Sequence, residues 1–297
     1  MSSDLGYRKE ATTIRIGILG AGAIVKTLLE GWQRFGWPGE VMVTNRSNAA
    51  RLEALAASFG VVTTRDHAAL LQDAEMVLLA VRPGQVVETL QQDGPSLHAG
   101  HLLISLAAAP DCETIAALLP KEVTVVRAMP NLAAAVGHSV TGLYSQQGMI
   151  GVVQSLFEPL GTTVWLDDEA ALTPFTALFG SGPGYLYHFV DLLEEGGVAL
   201  GLDRDQVARF VAEMAFGALT YLKESGATPA ELRDEVATPG GVTAAGIAAL
   251  DAADLRASLL TCLRAAVARA EQTQAHARAD LFASFAHQSL DNAGQLP

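Results

Sequence analysis

Cysteine is nearly missing from this chain: Cys112 and Cys262 are the only two in 297 residues, and neither sits in a CxxC pair or a Cys/His cluster. That leaves no disulfide framework and no zinc motif to read, and it makes a reducing cytoplasm the expected setting. Seven histidines are scattered without ligand spacing, so no metal is expected. Basic residues are also scarce, 19 against 32 acidic ones, for a formal charge of -13. Such a surface field repels nucleic acid and anionic lipid outside any local basic pocket. A mean hydropathy of +0.27 invites a membrane reading. Yet no stretch of about 20 apolar residues runs free of charge, Gly or Pro, so neither a membrane span nor a membrane partner is expected. Residues Met1 to Thr13 carry four charges and no apolar h-region, which predicts a flexible tail rather than a signal peptide. What is present is bulk hydrophobicity: half the residues are apolar and 17% charged, the composition of a folded protein with room for two domains.

From Ile14 to about Asp167, β-branched runs alternate with helical stretches. Strands are expected at Ile14 to Leu19, Val41 to Val43, Met76 to Ala80, Leu102 to Ile104 and Val123 to Val126, all too uniformly apolar for a sheet with one wet face. Helices expected at Ile24 to Phe35, Ala49 to Phe59, Gln85 to Leu97 and Cys112 to Leu118 complete a doubly wound parallel sheet. Strands at Val140 to Leu143 and Thr163 to Leu166, with a helix at Ile150 to Phe157 between them, close an α/β domain over 14–167. Beyond it, over 168–297, the strand signal vanishes and helices are expected at Glu169 to Phe179, Tyr185 to Leu200, Arg204 to Glu224, Pro229 to Val236, Thr243 to Leu250 and Leu255 to His287. The last carries Leu255, Leu259, Leu263, Ala266, Val267 and Ala270 on one side, an apolar stripe that a small all-α domain hardly covers alone. A homodimer through these helices is the simplest cover, intrachain packing the alternative.

The first strand runs into Gly20-Ala21-Gly22-Ala23-Ile24-Val25. Gly20 permits a tight turn, Gly22 lets backbone approach a pyrophosphate, and the amides opening the helix at Ala23 and Ile24 face that anion. Val25 stands where Gly or Ala usually allows close helix and strand packing. After the second strand come Asn45-Arg46-Ser47, with no Asp or Glu for a ribose 2′-hydroxyl. A guanidinium with small donors suits the 2′-phosphate of NADPH, with NADH possible; a solvated Arg is the plain alternative. Ala80-Val81-Arg82-Pro83 and Ser105-Leu106-Ala107-Ala108 end two further strands at the edge where doubly wound sheets bind ligands, which makes them candidate nicotinamide-side loops.

Three segments remain: Arg127-Ala128-Met129-Pro130-Asn131, Gly180-Ser181-Gly182-Pro183-Gly184-Tyr185, and Leu232 to Thr243, which ends Thr238-Pro239-Gly240-Gly241-Val242-Thr243. In the last, a Pro-Gly-Gly turn opens a helix with Thr on either side, so free amides and two hydroxyls converge in a site fit for a small carboxylate. With these in place, in this order, the chain from Ile14 to about Gln272 resembles the Δ1-pyrroline-5-carboxylate reductase family. The resemblance implies a Rossmann domain joined to an all-α C-terminal dimerisation domain, in homodimers or rings of dimers, using NAD(P)H to reduce a cyclic imine carboxylate to L-proline. It adds Met129, Pro130 and Asn131 to the cofactor positions. Its carboxylate cradle maps to the Thr238 hydroxyl and the amides of Gly241, Val242 and Thr243, after Gly240, with the Thr243 hydroxyl as catalytic partner of the ring nitrogen.

Thr238 stands for a common Ser, Val242 for a Thr, and Leu132 and Phe179 make the surroundings more apolar; substrate identity, not reaction class, rests on these. A cyclic iminium is already electrophilic, so alignment suffices and no strong acid or nucleophile is needed. That suits a chain whose His188 reads as a core or interface residue and whose Asp167-Asp168-Glu169 cluster reads as a solvated helix start. A β-hydroxyacid dehydrogenase, the rival enzyme, needs a Lys in the helical domain, and neither Lys9, Lys26, Lys121 nor Lys223 has that setting. A catalytically silent NADP-binding paralog is the rival from another class, supported by Val25, Leu132 and Val242 alone.

Overall fold

A computed structural model describes residues 14–293; the expected flexible tail lies outside them. The sheet has eight strands: β1 (Arg15–Leu19), β2 (Glu40–Thr44), β3 (Val62–Thr64), β4 (Met76–Leu79), β5 (Leu102–Ser105), β6 (Thr124–Met129), β7 (Ser139–Tyr144) and β8 (Gly161–Trp165), in the order 3-2-1-4-5-6-7-8. Around it run α1 (Ala23–Phe35), α2 (Ala49–Phe59), α3 (His67–Asp73), α4 (Val86–Asp93), α5 (Cys112–Ala116), α6 (Gly151–Phe157) and α7 (Leu172–Phe175). Pairing is parallel except between β6 and β7. The link Pro130–His138 is shorter than the dozen or so residues a parallel crossover needs, so β7 returns antiparallel.

The uniformly apolar strands feed two cores by strict alternation. In β4, Met76 and Leu78 point into one cluster, with Trp32 of α1 and Phe157 of α6, while Val77 and Leu79 point into the other, with Val86 and Leu90 of α4. Each face therefore demands helices, as the composition of the strands predicts. Order reverses between β1 and β4, which sets a crevice at the carboxyl ends of these strands.

Departures from the sequence pattern have local causes. β3 and α3, between Phe59 and Met76, went unforeseen because a three-residue edge strand with an exposed Val62 shows almost no periodicity. The helix expected from Gln85 to Leu97 is broken into a 3₁₀ turn, α4 and a second 3₁₀ turn with Pro95 near its start. Glu169 to Phe179, expected as one helix, becomes a 3₁₀ turn, α7 and a π-turn over Thr176–Gly180.

The chain divides into two compact units, one running to Gly180 and resuming at Val267, the other Ser181–Ala266. Leu172, Phe175 and Ala177 are buried within the first, which carries its limit past Asp167. The second holds α8 (Gly182–Ala199), α9 (Arg204–Ser225), α10 (Pro229–Val236), α11 (Val242–Ala252) and the start of α12 (Leu255–Ala293). Asp203 caps α9, and Thr228 with Glu231 forms a reciprocal capping box on α10. Hydrogen bonds from the Thr228 amide and hydroxyl hold the exposed Glu231 carboxyl below its ordinary pKa. Among the described residues of this unit only Val207 is buried, wedged against Gly197.

Candidate active site

The turn after β1 is built as a dinucleotide turn requires. Gly20 has φ +115°, and a Cβ there would lie 2.5 Å from the Ala80 carbonyl oxygen, so only glycine fits. A Cβ on Gly22 would meet nothing nearer than 3.8 Å, which leaves that side open. Gly22 caps α1 with no side-chain bond, and its carbonyl accepts the first helical bond, from Lys26. The amides of Gly22, Ala23, Ile24 and Val25 thus have no helical partner, and no acidic residue sits in the first turn to repel an anion. The Val25 side chain is fully buried in the core beneath the sheet, so the unusual third position is absorbed by packing.

At the end of β2 the Thr44 hydroxyl is buried without a partner. Asn45 Oδ1 accepts the Ser47 and Asn48 amides at 3.0 and 2.9 Å and so shapes the loop itself. Arg46 is held: its Nη2 donates to both Asp93 carboxylate oxygens at 2.9 Å and its Nη1 to Gln92. A second guanidinium comes from the unforeseen β3–α3 link, where Arg65 donates to the Arg46 carbonyl at 3.0 Å. These features fit an NADP dinucleotide: amides for the pyrophosphate, two arginines and Ser47 for the ribose end.

Ala80 to Pro83 and Ala107 with Ala108 do end β4 and β5 on the same sheet edge. Arg127, 5% exposed in its side chain, braces the second loop by donating to the Ala108 carbonyl and to Glu169 Oε1. Glu169 also accepts the Cys112 amide at 2.7 Å, so it is drawn into a partly buried pair, not fully solvated as its acidic neighbours suggested; Asp168 alone caps the turn. Asn131 spends its side chain on structure, bonding the Ala133 amide and the Phe179 carbonyl, which ties Met129 and Pro130 to the π-turn. Leu132 and Phe179 are exposed, with the Phe179 ring tilted against that of Phe175 at 4.7 Å between centroids.

Cys112 is the one thiol near these loops, and burial, then the Glu169 charge, push its pKa far up. It should resist iodoacetamide at pH 8 in the native protein and react only after unfolding, as peptide mapping would show; native labelling would contradict this burial.

In the second unit, Thr238-Pro239-Gly240-Gly241 forms a type II turn: Pro239 leads, Gly240 has φ +77°, and the Gly241 amide donates to the Thr238 carbonyl at 2.8 Å. The Gly241 amide, expected in the cradle, is spent on this bond. A Cβ on Gly241 would lie 2.7 Å from the Thr238 hydroxyl oxygen, so glycine here lets that hydroxyl fold over the turn. Gly241 then caps α11 without a side-chain bond, and the first helical bond is from Ala245 to Gly241. Helix geometry leaves the Val242, Thr243 and Ala244 amides without intrahelical acceptors. Val242 is 92% exposed.

A Rossmann sheet with a dinucleotide turn after β1 and two arginines after β2 fits an NADP-dependent oxidoreductase. Residues 15–109 match the model described as NADP oxidoreductase coenzyme F420-dependent, and residues 169–273 match pyrroline-5-carboxylate reductase dimerisation. The chain is 31% identical over 266 residues to a pyrroline-5-carboxylate reductase of Pseudomonas aeruginosa, covering 88% of itself and 97% of that protein. It is 33% identical to pyrroline-5-carboxylate reductase 3 of Xenopus laevis, covering 87% and 95%. Among solved structures, a pyrroline-5-carboxylate reductase from Coxiella burnetii aligns with a TM-score of 0.77 at 30% identity, over 88% of this chain and 98% of the other. One from Plasmodium falciparum, with NADP bound, shares the fold with a TM-score of 0.79 at 22% identity, over 88% and 98%. The chain belongs to the pyrroline-5-carboxylate reductase family.

Proposed function

We propose that this protein reduces the C=N bond of 1-pyrroline-5-carboxylate with NADPH to give L-proline, as a cytoplasmic enzyme of proline biosynthesis. The observation that carries this reading is the type II turn opening α11, which sets a hydroxyl on each side of unpaired helix amides. NADPH supplies a hydride. The protein supplies placement: Gly20, Gly22 and the α1 amides seat the pyrophosphate, while Arg46, Ser47 and Arg65 face the 2′-phosphate. The Ala80 to Pro83 and Ala107 to Ala108 loops border the nicotinamide, with Met129 and Pro130 behind them. Thr238 with the Val242 and Thr243 amides holds the substrate carboxylate, and the Thr243 hydroxyl meets the ring nitrogen. The helical part, from residue 168 on, carries substrate and subunit contacts, in a homodimer or a ring of dimers.

The test is an assay of NADPH oxidation across cyclic imine carboxylates of different ring size. A five-membered imine should be preferred, by about 10- to 200-fold if the pocket reads one methylene fully. No oxidation with any imine would favour the silent paralog. Arg46→Ala should raise the Michaelis constant for NADPH about 10- to 100-fold and leave NADH nearly unchanged, since a lost charge-assisted bond costs about 1.5 to 3 kcal/mol. Equal losses for both cofactors would remove Arg46 from the 2′-phosphate.

A further inference from the structure

Arg46 is not a free side chain at the surface. Its side chain is 41% exposed, but one edge of the guanidinium is anchored on Asp93, whose side chain is only 9% exposed at the end of α4. Asp93 takes Arg46 Nη2 on both oxygens at 2.9 Å and His67 Nδ1 on Oδ2 at 2.7 Å. His67, itself 11% exposed, backs the carboxylate from the start of α3, and its Nε2 is buried with no partner. Gln92 takes Nη1 from the solvent side. A buried carboxylate keeps its cationic partners, because losing one leaves an uncompensated charge. Arg46 is therefore fixed in plane before any ligand arrives, with Nε–H and part of Nη1 still unspent. The Asp93 charge is matched by Arg46, and Arg65 brings a second guanidinium onto the Arg46 carbonyl.

We propose that Asp93, backed by His67, is a positioning residue for cofactor discrimination: it pre-orders the Arg46 guanidinium, so that a 2′-phosphate meets an arginine already immobilised. This rests on the placement of Arg46 at the 2′-phosphate. The entropy of ordering a long side chain is met in folding instead of in binding, and the gain goes only to ligands that carry the 2′-phosphate.

The test is calorimetric titration of the full-length protein with adenosine 2′,5′-bisphosphate and with adenosine 5′-monophosphate, which lacks the 2′-phosphate. Asp93→Asn should weaken the bisphosphate about three- to tenfold and leave the monophosphate unchanged. In an Arg46→Ala background the same change should have no effect, because Asp93 acts through Arg46. Equal weakening of both ligands would mark a purely structural role and overturn the proposal. So would a tighter bisphosphate, which would mean that Asp93 competes with the phosphate, or a selective loss that persists without Arg46. Should Asp93→Asn fail to fold, Gln92→Ala reads the same clamp from its exposed side: a selective loss supports the proposal and none overturns it. If Arg46→Ala alone leaves the ratio of the two affinities at the wild-type value, the placement of Arg46 fails, and the proposal with it.

Discussion

Thr243→Val is expected to lower turnover on the order of 100-fold while folding and NADPH affinity stay intact, the magnitude typical of losing one preorganised donor. Thr243 is the second residue of α11, directly after the turn in which Gly240 takes the left-handed conformation. Its amide and hydroxyl lie on one residue, and in the substrate the ring nitrogen is two bonds from the carboxylate, so the two contacts suit one ligand. As the imine carbon is reduced, its nitrogen changes from an electron-poor centre to an amine with a lone pair. A donor aimed there gains strength along the reaction, so its loss falls on kcat. Thr238→Val removes the hydroxyl proposed to hold the carboxylate, whose charge does not change in the reaction, so its loss should fall on KM. Steady-state kinetics with the five-membered imine separate the two. Wild-type turnover in Thr243→Val would remove the Thr243 hydroxyl as the donor at the ring nitrogen and leave an ordered water there instead.

The two ends of the chemistry differ in how far the sequence exposes them. The Gly20 to Val25 turn is legible because strand, glycines and helix are contiguous, and Gly20 is required by a backbone contact 2.5 Å away. Arg46 is legible as a cation after a strand. Its partners are not: Asp93 lies 47 residues on, and His67 and Arg65 come from a segment with almost no periodicity. Strand order puts β3 beside β2 and brings that link next to the loop after β2, a consequence of topology that no local pattern encodes. Likewise the glycines before α11 announce a turn, while which amide closes it and which remain free depends on the φ of Gly240. Glu169 illustrates the opposite case: an acidic run reads as solvated, and a buried arginine from β6 overrides it.

Leu263→Asp is expected to abolish assembly and give a monomer or an insoluble chain. The second unit has one buried residue, Val207, among its described residues, while Leu186, Tyr187, Phe216, Leu219 and Tyr221 are each more than half exposed. Helices so poorly covered do not hold a fold by propensity alone, since most helical stability comes from packing an apolar face. The family model for dimerisation spans 169–273, which takes in α8 to α11 and the Leu255 to Ala270 stripe of α12, so an oligomer is the expected cover for these faces. Leu259 on that stripe is 47% exposed and Leu263 half-buried within one chain. In a two-fold dimer the same patch serves both subunits, so one substitution places two carboxylates in the interface. Each lost leucine forfeits about 1.5 to 3 kcal/mol of apolar burial, and each buried, unpaired charge costs several kcal/mol more. That sum exceeds what an interface of ordinary affinity retains, so the effect should be complete at micromolar concentration. Light scattering should give at least twice the chain mass for wild type. A wild-type monomer at that concentration would mean that the apolar faces pack within one chain.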